Sequence, residues 1–359
     1  MRLVKQNLEA QMRSPGYEYS NRVKLINYGD CYYWRPIEVK DLDQVDMHLA
    51  CAFHNINFRN PGEFTLVISG NITLDQVTPL ISQYLASIPA TPLPPVKLAA
   101  EVTALPFSYP SEPIIEDVAV EMVNEIASQQ ITIPVMLNRP EARVLLVWLS
   151  LAVRIIEARL MQRMRFEFGD VYTVQVSSFF GCDAPSNKGD IRGDVAITFT
   201  CDPVNRDRLA ELALSELDQI LSDPSLCQPG LVPIGQEELD TAALLESLAY
   251  KESEGELSHW HSLIYQSYQS KSLPDLGSIE AVYDKNMEAR NLVLKASLTP
   301  QAMFDALRDI FPPPRSRYTV VRMVPKLTRT SYLLPAFCTA LVICGISAFF
   351  LARCRRFRG

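Results

Sequence analysis

The segment from residue 142 to residue 180 constrains the fold of this chain more than any other. Ala142 to Phe168 has the apolar spacing of one long helix, and the alternating residues from Tyr172 to Phe180 predict a strand. Gly169 lies between them, and glycine adopts the backbone conformations that make a helix-to-strand turn possible. The segment therefore predicts a core helix that turns directly into a β-strand.

Two polar side chains flank this turn, Arg165 at the end of the helix and Tyr172 at the start of the strand. A guanidinium offers a rigid fork of donors and a phenol offers one hydroxyl, and together they suit the binding of a carbonyl or carboxylate. This pattern indicates a group that grips a peptide backbone. The spacing also fits an ordinary arrangement, in which Arg165 forms a salt bridge and Tyr172 packs at the edge of the core.

Three stretches of the sequence are informative together: Arg159–Tyr172, Phe58–Ile72, and Arg13-Ser14-Pro15 with Tyr33-Trp34-Arg35-Pro36 and Asp41-Leu42-Asp43. They resemble the M16 family of zinc peptidases, which includes pitrilysin and insulysin. The first resembles the signature of the family's second, non-catalytic domain, the second resembles a strand and turn of the family, and the third resembles a pattern of its PqqL-like branch. The resemblance extends from about residue 1 to residue 326.

The resemblance implies that Arg165 and Tyr172 are substrate-binding residues. In the M16 family this pair faces the zinc site across a closed chamber and binds the backbone of the substrate. The zinc motif of the family is His-x-x-Glu-His on one helix, and this sequence does not contain it. We therefore expect no catalytic and no metal-binding residues in this chain. Zinc is expected only in a partner subunit or in a missing N-terminal half that carries the motif.

The four histidines are predicted to have surface or packing roles. His48 and His54 are six residues apart, which puts them on opposite faces of a helix. His259 and His261 lie in a stretch that reads as helix, where residues two apart do not share a face. The chain alone is therefore predicted to be inactive as a peptidase.

The composition is that of a globular protein whose cysteines are reduced. Hydrophobic residues make up 48% of the chain and charged residues 21%, which is enough apolar material to bury a core. The net charge of −7 argues against a nucleic-acid partner and is compatible with a chamber for neutral or basic peptides. The eight cysteines include no Cys-x-x-Cys pair, so the spacing predicts free thiols.

The C-terminal region carries a long uncharged segment. Residues 330–352 contain no charged side chain, and a segment of this length is enough for a membrane-spanning helix. Residues 353–359 form a basic tail with four arginines. A buried C-terminal helix is the alternative. The chain begins with a charged, amphipathic segment instead of a signal peptide. The pattern predicts a single-pass, tail-anchored membrane protein whose body faces the cytosol.

The remaining sequence predicts an α+β fold of M16-like domains, with helices packed on a mostly antiparallel sheet. Residues 105–326 can hold one complete domain, and residues 93–104 form a proline-rich linker. Residues 1–92 supply helices and one convincing strand, Phe64–Ser69, which is only the closing half of such a domain. Because a half-domain exposes apolar surface, we expect it to need a partner. Asp202-Pro203 and Thr299-Pro300 are predicted to begin helices.

Three functions are compatible with these patterns. The chain is a membrane-anchored, substrate-binding part of an M16-type metallopeptidase, or a pseudo-peptidase that binds peptides without chemistry, or an assembly subunit. The presence of Arg165 and Tyr172 favours the first two, because a scaffold has no need of that pair. A peptide substrate and an M16 half bearing the His-x-x-Glu-His motif are the expected partners.

Overall fold

Helices form most of the first part of the chain, and strands alternate with helices in the rest. The computed structural model of the protein describes residues 2–29, 31, 34–58, 60–89, 108–122, 125–180, 190–225, 229–269 and 275–326. The helices are α1 (Arg2–Met12), α2 (Pro15–Tyr28), α3 (Val39–Asp43), α4 (Met47–Asn57), α5 (Leu74–Tyr84), α6 (Ala142–Leu160), α7 (Arg206–Ile220), α8 (Gln236–Ser253), α9 (Leu257–Gln269), α10 (Ile279–Asn291) and α11 (Pro300–Ile310). The strands are β1 (Ile114–Val120), β2 (Ala127–Leu137), β3 (Val171–Phe180), β4 (Ile191–Cys201) and β5 (Thr319–Pro325).

The strands form one mixed sheet in the order β1-β5-β2-β4-β3. The pairs β5·β2, β2·β4 and β4·β3 are antiparallel, and only β1·β5 is parallel. The predicted mostly antiparallel sheet is therefore present. Strand β5, the last strand of the described residues, lies inside the sheet between β1 and β2, so the first and last strands of the sheet in chain order are joined by backbone hydrogen bonds.

The main core lies between one face of the sheet and the helix α6. Alternate residues of β2 and β4, among them Ile131 and Ile197, meet the apolar side of α6 with no exposed surface. Leu209 of α7 and Met303 of α11 close the same cluster. As predicted, Asp202 caps the short 3₁₀ helix just before α7 by accepting a hydrogen bond from the Val204 backbone N–H. Thr299 caps α11 by accepting one from the Ala302 backbone N–H.

The helix α2 packs on the opposite face of the sheet, which the sequence did not indicate. Val23 joins a small apolar cluster with residues of β1 and β5. The buried Asn27 side chain donates to Thr132 Oγ1 at 3.1 Å and accepts from Thr319 Oγ1 at 2.6 Å. Helices therefore lie on both faces of the sheet. On the second face, Thr132 and Thr319 form hydrogen bonds with Asn27 of α2.

The segment Phe64–Ser69 was predicted to be a strand, and this prediction is wrong for the structure described. Phe64 has an extended backbone, but the segment pairs with no described strand, and no described residue between 36 and 89 is buried. A strand forms only where a neighbouring strand takes its backbone hydrogen bonds. The described part of the chain offers none beside this segment.

The structure corrects the predicted membrane-spanning helix. Within the described ranges no helix has both the length and the apolar character needed to cross a bilayer, and residues 330–352 and 353–359 lie outside those ranges. The described residues form an α+β fold. The anchored, cytosol-facing location depended on the same helix and is withdrawn with it.

The other predicted boundaries keep their status as predictions. The proline-rich linker at 93–104 falls outside the described residues. The division into a closing half-domain at 1–92 and a complete domain at 105–326 also stays a prediction, and the described sheet uses residues from 114 onward. The contacts of α2 nevertheless join the two parts, because its side chains lie directly on β1 and β5.

Candidate functional site

The candidate site is built on the turn between α6 and β3. After Leu160 the helix widens into a π-helical segment, Met161–Glu167, and wide turns of this kind are frequent at functional sites. Gly169 ends the helix with a φ of 71°, as the sequence predicted. Asp170 then fixes the turn, because its carboxylate accepts from Asn205 Nδ2 at 3.1 Å and pairs with Arg208.

The turn brings Arg165 and Tyr172 into contact. The Arg165 Cζ atom lies 5.1 Å from the centre of the Tyr172 ring and 5.4 Å from the centre of the Phe166 ring. Both distances are within the range of cation–π attraction. Tyr172 is 79% exposed and follows Val171, at a point where the pairing of β3 with β4 shifts register. Irregularities of this kind redirect a side chain, so the turn presents both groups at the surface.

Arg165 differs from the other arginines of the same helix. Arg159 binds Glu238 and two backbone carbonyls, and Arg163 pairs with Glu167 and Glu216 at 3.0 Å. Among the described residues the Arg165 guanidinium has no carboxylate or carbonyl acceptor, and its contacts are with aromatic faces. The ordinary salt-bridge interpretation of Arg165 therefore finds no partner in the described part of the chain. The aromatic contacts hold the side chain while its N–H groups stay available.

Strand β3 is an edge of the sheet, and side chains of α6 cap part of that edge. The backbone N–H of Val176 donates to Glu157 Oε2 at 3.0 Å, and that of Val174 donates to Met161 Sδ at 3.3 Å. These two N–H groups are therefore not available to an added strand at this part of the edge. Beside them, the side chains of Arg165 and Tyr172 are the groups that a peptide can contact. The sequence did not reveal Glu157, Met161 or Phe166 as part of the site, because their roles depend on tertiary contacts.

The described residues contain no metal site. No cluster of three or more His, Cys, Asp or Glu side chains is arranged to hold an ion within the described ranges. His259 packs against Tyr250 and Trp260 by ring edges, and its Nδ1 lies 3.1 Å from Ser253 Oγ. The packing role predicted for this histidine is therefore confirmed. The described cysteines Cys31, Cys51 and Cys201 are free thiols, as expected.

Two ionisable groups on β4 are perturbed by burial. Desolvation raises the pKa of the Asp194 carboxyl, and hydrogen bonds from Tyr109 at 2.6 Å and Tyr28 at 3.1 Å oppose that shift. Desolvation also raises the pKa of the Cys201 thiol, which is buried and therefore a poor nucleophile. Among the described residues, neither group lies beside a side chain that could act with it in catalysis. Both are interpreted as structural.

Comparison with known proteins identifies relatives of this chain. Residues 50–228 match the family described as peptidase M16 inactive domain. The chain is 33% identical over 341 residues to a zinc protease PQQL-like from Arabidopsis thaliana. That alignment covers 94% of this chain and 34% of the relative, so the chain spans about a third of the relative's length. The match to an inactive domain agrees with the prediction that this chain does not hold the catalytic zinc.

Solved structures with the same fold belong to the same group of proteins. The periplasmic protease PqqL from Escherichia coli superposes with a TM-score of 0.59 at 18% identity, over 89% of this chain and 32% of that protein. A peptidase M16 inactive domain from Pseudomonas fluorescens superposes with a TM-score of 0.63 at 16% identity, over 91% of this chain and 71% of that one.

Proposed function

Because the chain belongs to the peptidase M16 family and matches its inactive domain, we propose that it is a substrate-binding, non-catalytic part of an M16-type zinc metallopeptidase. Arg165 and Tyr172 contact the backbone of an extended peptide in this proposal. The guanidinium donates to a peptide carbonyl or to a terminal carboxylate, and the phenol supplies one further hydrogen bond. Neither group forms or breaks a bond in the substrate.

The observation that carries the proposal is the state of the Arg165 side chain. It is held 5.1 Å from the Tyr172 ring and 5.4 Å from the Phe166 ring, and the described residues provide it with no hydrogen-bond acceptor. An arginine in this state has already lost part of its side-chain entropy, so less is lost when a ligand binds. The exposed Tyr172 beside it makes the pair accessible to a peptide.

In this proposal, the remaining parts of the active site are supplied by another part of the enzyme. Zinc, its ligands and the general base come from a half or a subunit that carries the His-x-x-Glu-His motif. The chain covers 34% of the Arabidopsis relative, so a protein of that length has room for such a half. Peptide hydrolysis is expected only after the two parts assemble.

Peptide titration of two variants tests the proposal. Arg165→Lys keeps the charge but loses the bidentate fork, and charge-assisted hydrogen bonds are worth about 1.5–3 kcal/mol. We expect binding of a labelled, extended peptide to weaken tenfold or more in Arg165→Lys, and by a smaller factor in Tyr172→Phe. The melting temperature should stay nearly unchanged in both, because the rings still pack.

Matched controls separate recognition from structure. Arg163→Lys alters a neighbouring arginine that is paired with two glutamates, so it should lower stability slightly and leave peptide binding intact. Tyr268→Phe removes the hydroxyl of another exposed tyrosine and should change neither quantity. Unaltered peptide binding by Arg165→Lys would remove the reason for assigning the chain to peptide recognition.

A further inference from the structure

Strand β1 forms the edge of the sheet opposite to β3, and its outer side is unpaired. The Ile114 N–H donates to the Tyr318 carbonyl, and the Val120 carbonyl accepts from the Lys326 N–H, so the even-numbered residues of β1 bond to β5. Because bonding alternates along a parallel strand, the N–H and C=O groups of residues 115, 117 and 119 point away from β5. Within the described ranges no other group bonds to them. Such an edge is a template for an added strand.

A groove of about 560 Å³ lies between α2 and this edge, a volume within the range of natural ligand pockets. Met12, Tyr17 and Leu25 give it apolar surface on the helical side, and residues 116–119 line it on the strand side. The even-numbered side chains of β1 face α2, as the packing of Val118 shows. A strand added to the edge would carry alternate side chains toward α2 and into the groove.

The charges of the groove indicate which peptide fits it. Arg22 is already paired with Glu116, whose Oε2 atom accepts from Nη2 at 2.7 Å, and the Asp117 carboxylate is paired with Arg322. Glu18 also lines the groove, one turn before Arg22, and no cationic side chain of the described residues pairs with it. The groove therefore keeps an uncompensated negative charge beside its apolar surface. A peptide with a lysine or arginine complements that charge.

We propose that the β1 groove, defined as the space between α2 and residues 116–119, binds an extended peptide that carries lysine or arginine. The peptide adds to the outer edge of β1 as a further strand. A basic side chain reaches Glu18, and an apolar side chain two positions along, on the same face, enters the apolar part of the groove. The strand order puts β1 four strands from β3, roughly 19 Å at the usual strand spacing. Occupation of the β1 groove therefore does not depend on Arg165 or Tyr172.

Peptide binding combined with amide hydrogen exchange tests the proposal. The full chain is titrated with a labelled peptide of about ten residues, in which threonines alternate with valines and lysines so that valine and lysine share one face. Exchange at residues 115, 117 and 119 should be fast in the free chain and slower by about tenfold or more at saturating peptide, because strand pairing protects backbone amides. The same peptide with glutamate in place of lysine should bind several-fold more weakly, since Glu18 repels it.

Two variants and a matched control locate the contact. Ala119→Pro removes one outward N–H group at a position where an edge strand tolerates proline, and it should weaken binding of the lysine peptide about tenfold or more. Glu18→Gln removes the charge with little change of shape and should erase the preference for the lysine peptide over the glutamate peptide. Glu252→Gln removes an exposed carboxylate of α8, outside the groove, and should leave that preference intact. Melting temperatures show whether each variant is folded.

Three results would overturn the inference: slow exchange at residues 115, 117 and 119 in the free chain, no added protection at saturating peptide, or an unchanged lysine preference in Glu18→Gln. The first result would mean that another part of the chain, or a second copy, already occupies the edge. Arg165→Lys should show the same protection of β1 as the parent chain, and loss of that protection would place the peptide at the other site. Protection of β1 together with full peptide binding by Arg165→Lys would refute the proposed function alone.

Discussion

At the scale of a single residue, Gly193 shows how closely β3 and β4 approach one another. A Cβ atom at this position would overlap the ring of Phe180 and the backbone carbonyl of Phe179. Because a backbone atom cannot move aside as a flexible side chain can, Gly193→Ala should lower the free energy of unfolding by about 1–3 kcal/mol or more. Gly16→Ala is the control, since the nearest atom to an added Cβ there is Ser14 Oγ at an ordinary contact distance of 3.8 Å. Urea denaturation of both variants measures the difference, and equal midpoints would show that the strands can separate at no cost.

Asp194 gives a second prediction at the same scale, concerning pH. Burial raises the pKa of this carboxyl above its ordinary value of 3.8, so the folded protein binds the proton more tightly than the unfolded chain does. The stability contributed by this group is fully present below pH 3.8 and is lost as the pH rises through the raised pKa. Asp194→Asn cannot ionise and should escape that loss. Its stability relative to the parent protein should therefore increase as the pH rises above about 4, as followed by thermal melts across pH.

The sequence predicted part of the site and left out the rest for physical reasons. Arg165 and Tyr172 could be placed together because Gly169 permits a tight helix-to-strand turn. Whether Arg165 has an acceptor depends on residues distant in sequence, as the pairing of Arg163 with Glu216 shows. The role of Glu157 as a cap of β3 depends likewise on the packing of α6 against the sheet. The spacing of residues in the sequence predicts the local turn but not these long-range contacts.

At the scale of secondary-structure elements, the attachment of α2 to the second face of the sheet invites a direct test. Asn27 is 1% exposed and bonds to Thr132 and Thr319 on two neighbouring strands. Asn27→Ala removes both bonds and leaves buried hydroxyls without this partner, which should cost about 1–3 kcal/mol of unfolding free energy. Lys24→Ala, on the exposed side of α2, should be neutral. Urea denaturation distinguishes the two, and equal losses would mean that α2 contributes only through apolar contacts.

The elements were predicted most successfully where the chain supplies all of its own partners. Strand β3 was located from its alternation, and the helices that begin after Asp202 and Thr299 were located from their capping residues. The segment Phe64–Ser69 has an equally strong strand pattern but pairs with nothing in the described structure. Apolar alternation reports what a segment can form, while pairing depends on whether a neighbour is present. The packing of α2 on the sheet had no local signal either, because it depends on buried polar contacts between distant residues.

For the whole molecule, the absence of the His-x-x-Glu-His motif leads to a prediction about metal. The full chain, purified without chelator, should retain no stoichiometric zinc and should hydrolyse no peptide, because no described cluster of side chains can hold an ion. Elemental analysis and a peptidase assay on the same sample test both statements. One zinc per chain, with activity lost in His259→Ala or His261→Ala, would contradict the assignment of zinc to another part of the enzyme.

The position of β5 between β1 and β2 also sets the order in which the protein can assemble while it is being made. Asp117 on β1 and Arg322 on β5 form an ion pair across 205 residues of sequence, and in the described structure β1 pairs with no other strand. At roughly 5–20 residues per second, translation separates the appearance of the two strands by about 10–40 s. Throughout that interval the partly apolar residues of β1 are outside the ribosome without the partner that makes them a strand. The nascent chain therefore depends on the α2 contacts, or on a chaperone, to keep β1 from pairing with a neighbouring polypeptide before its own partner emerges.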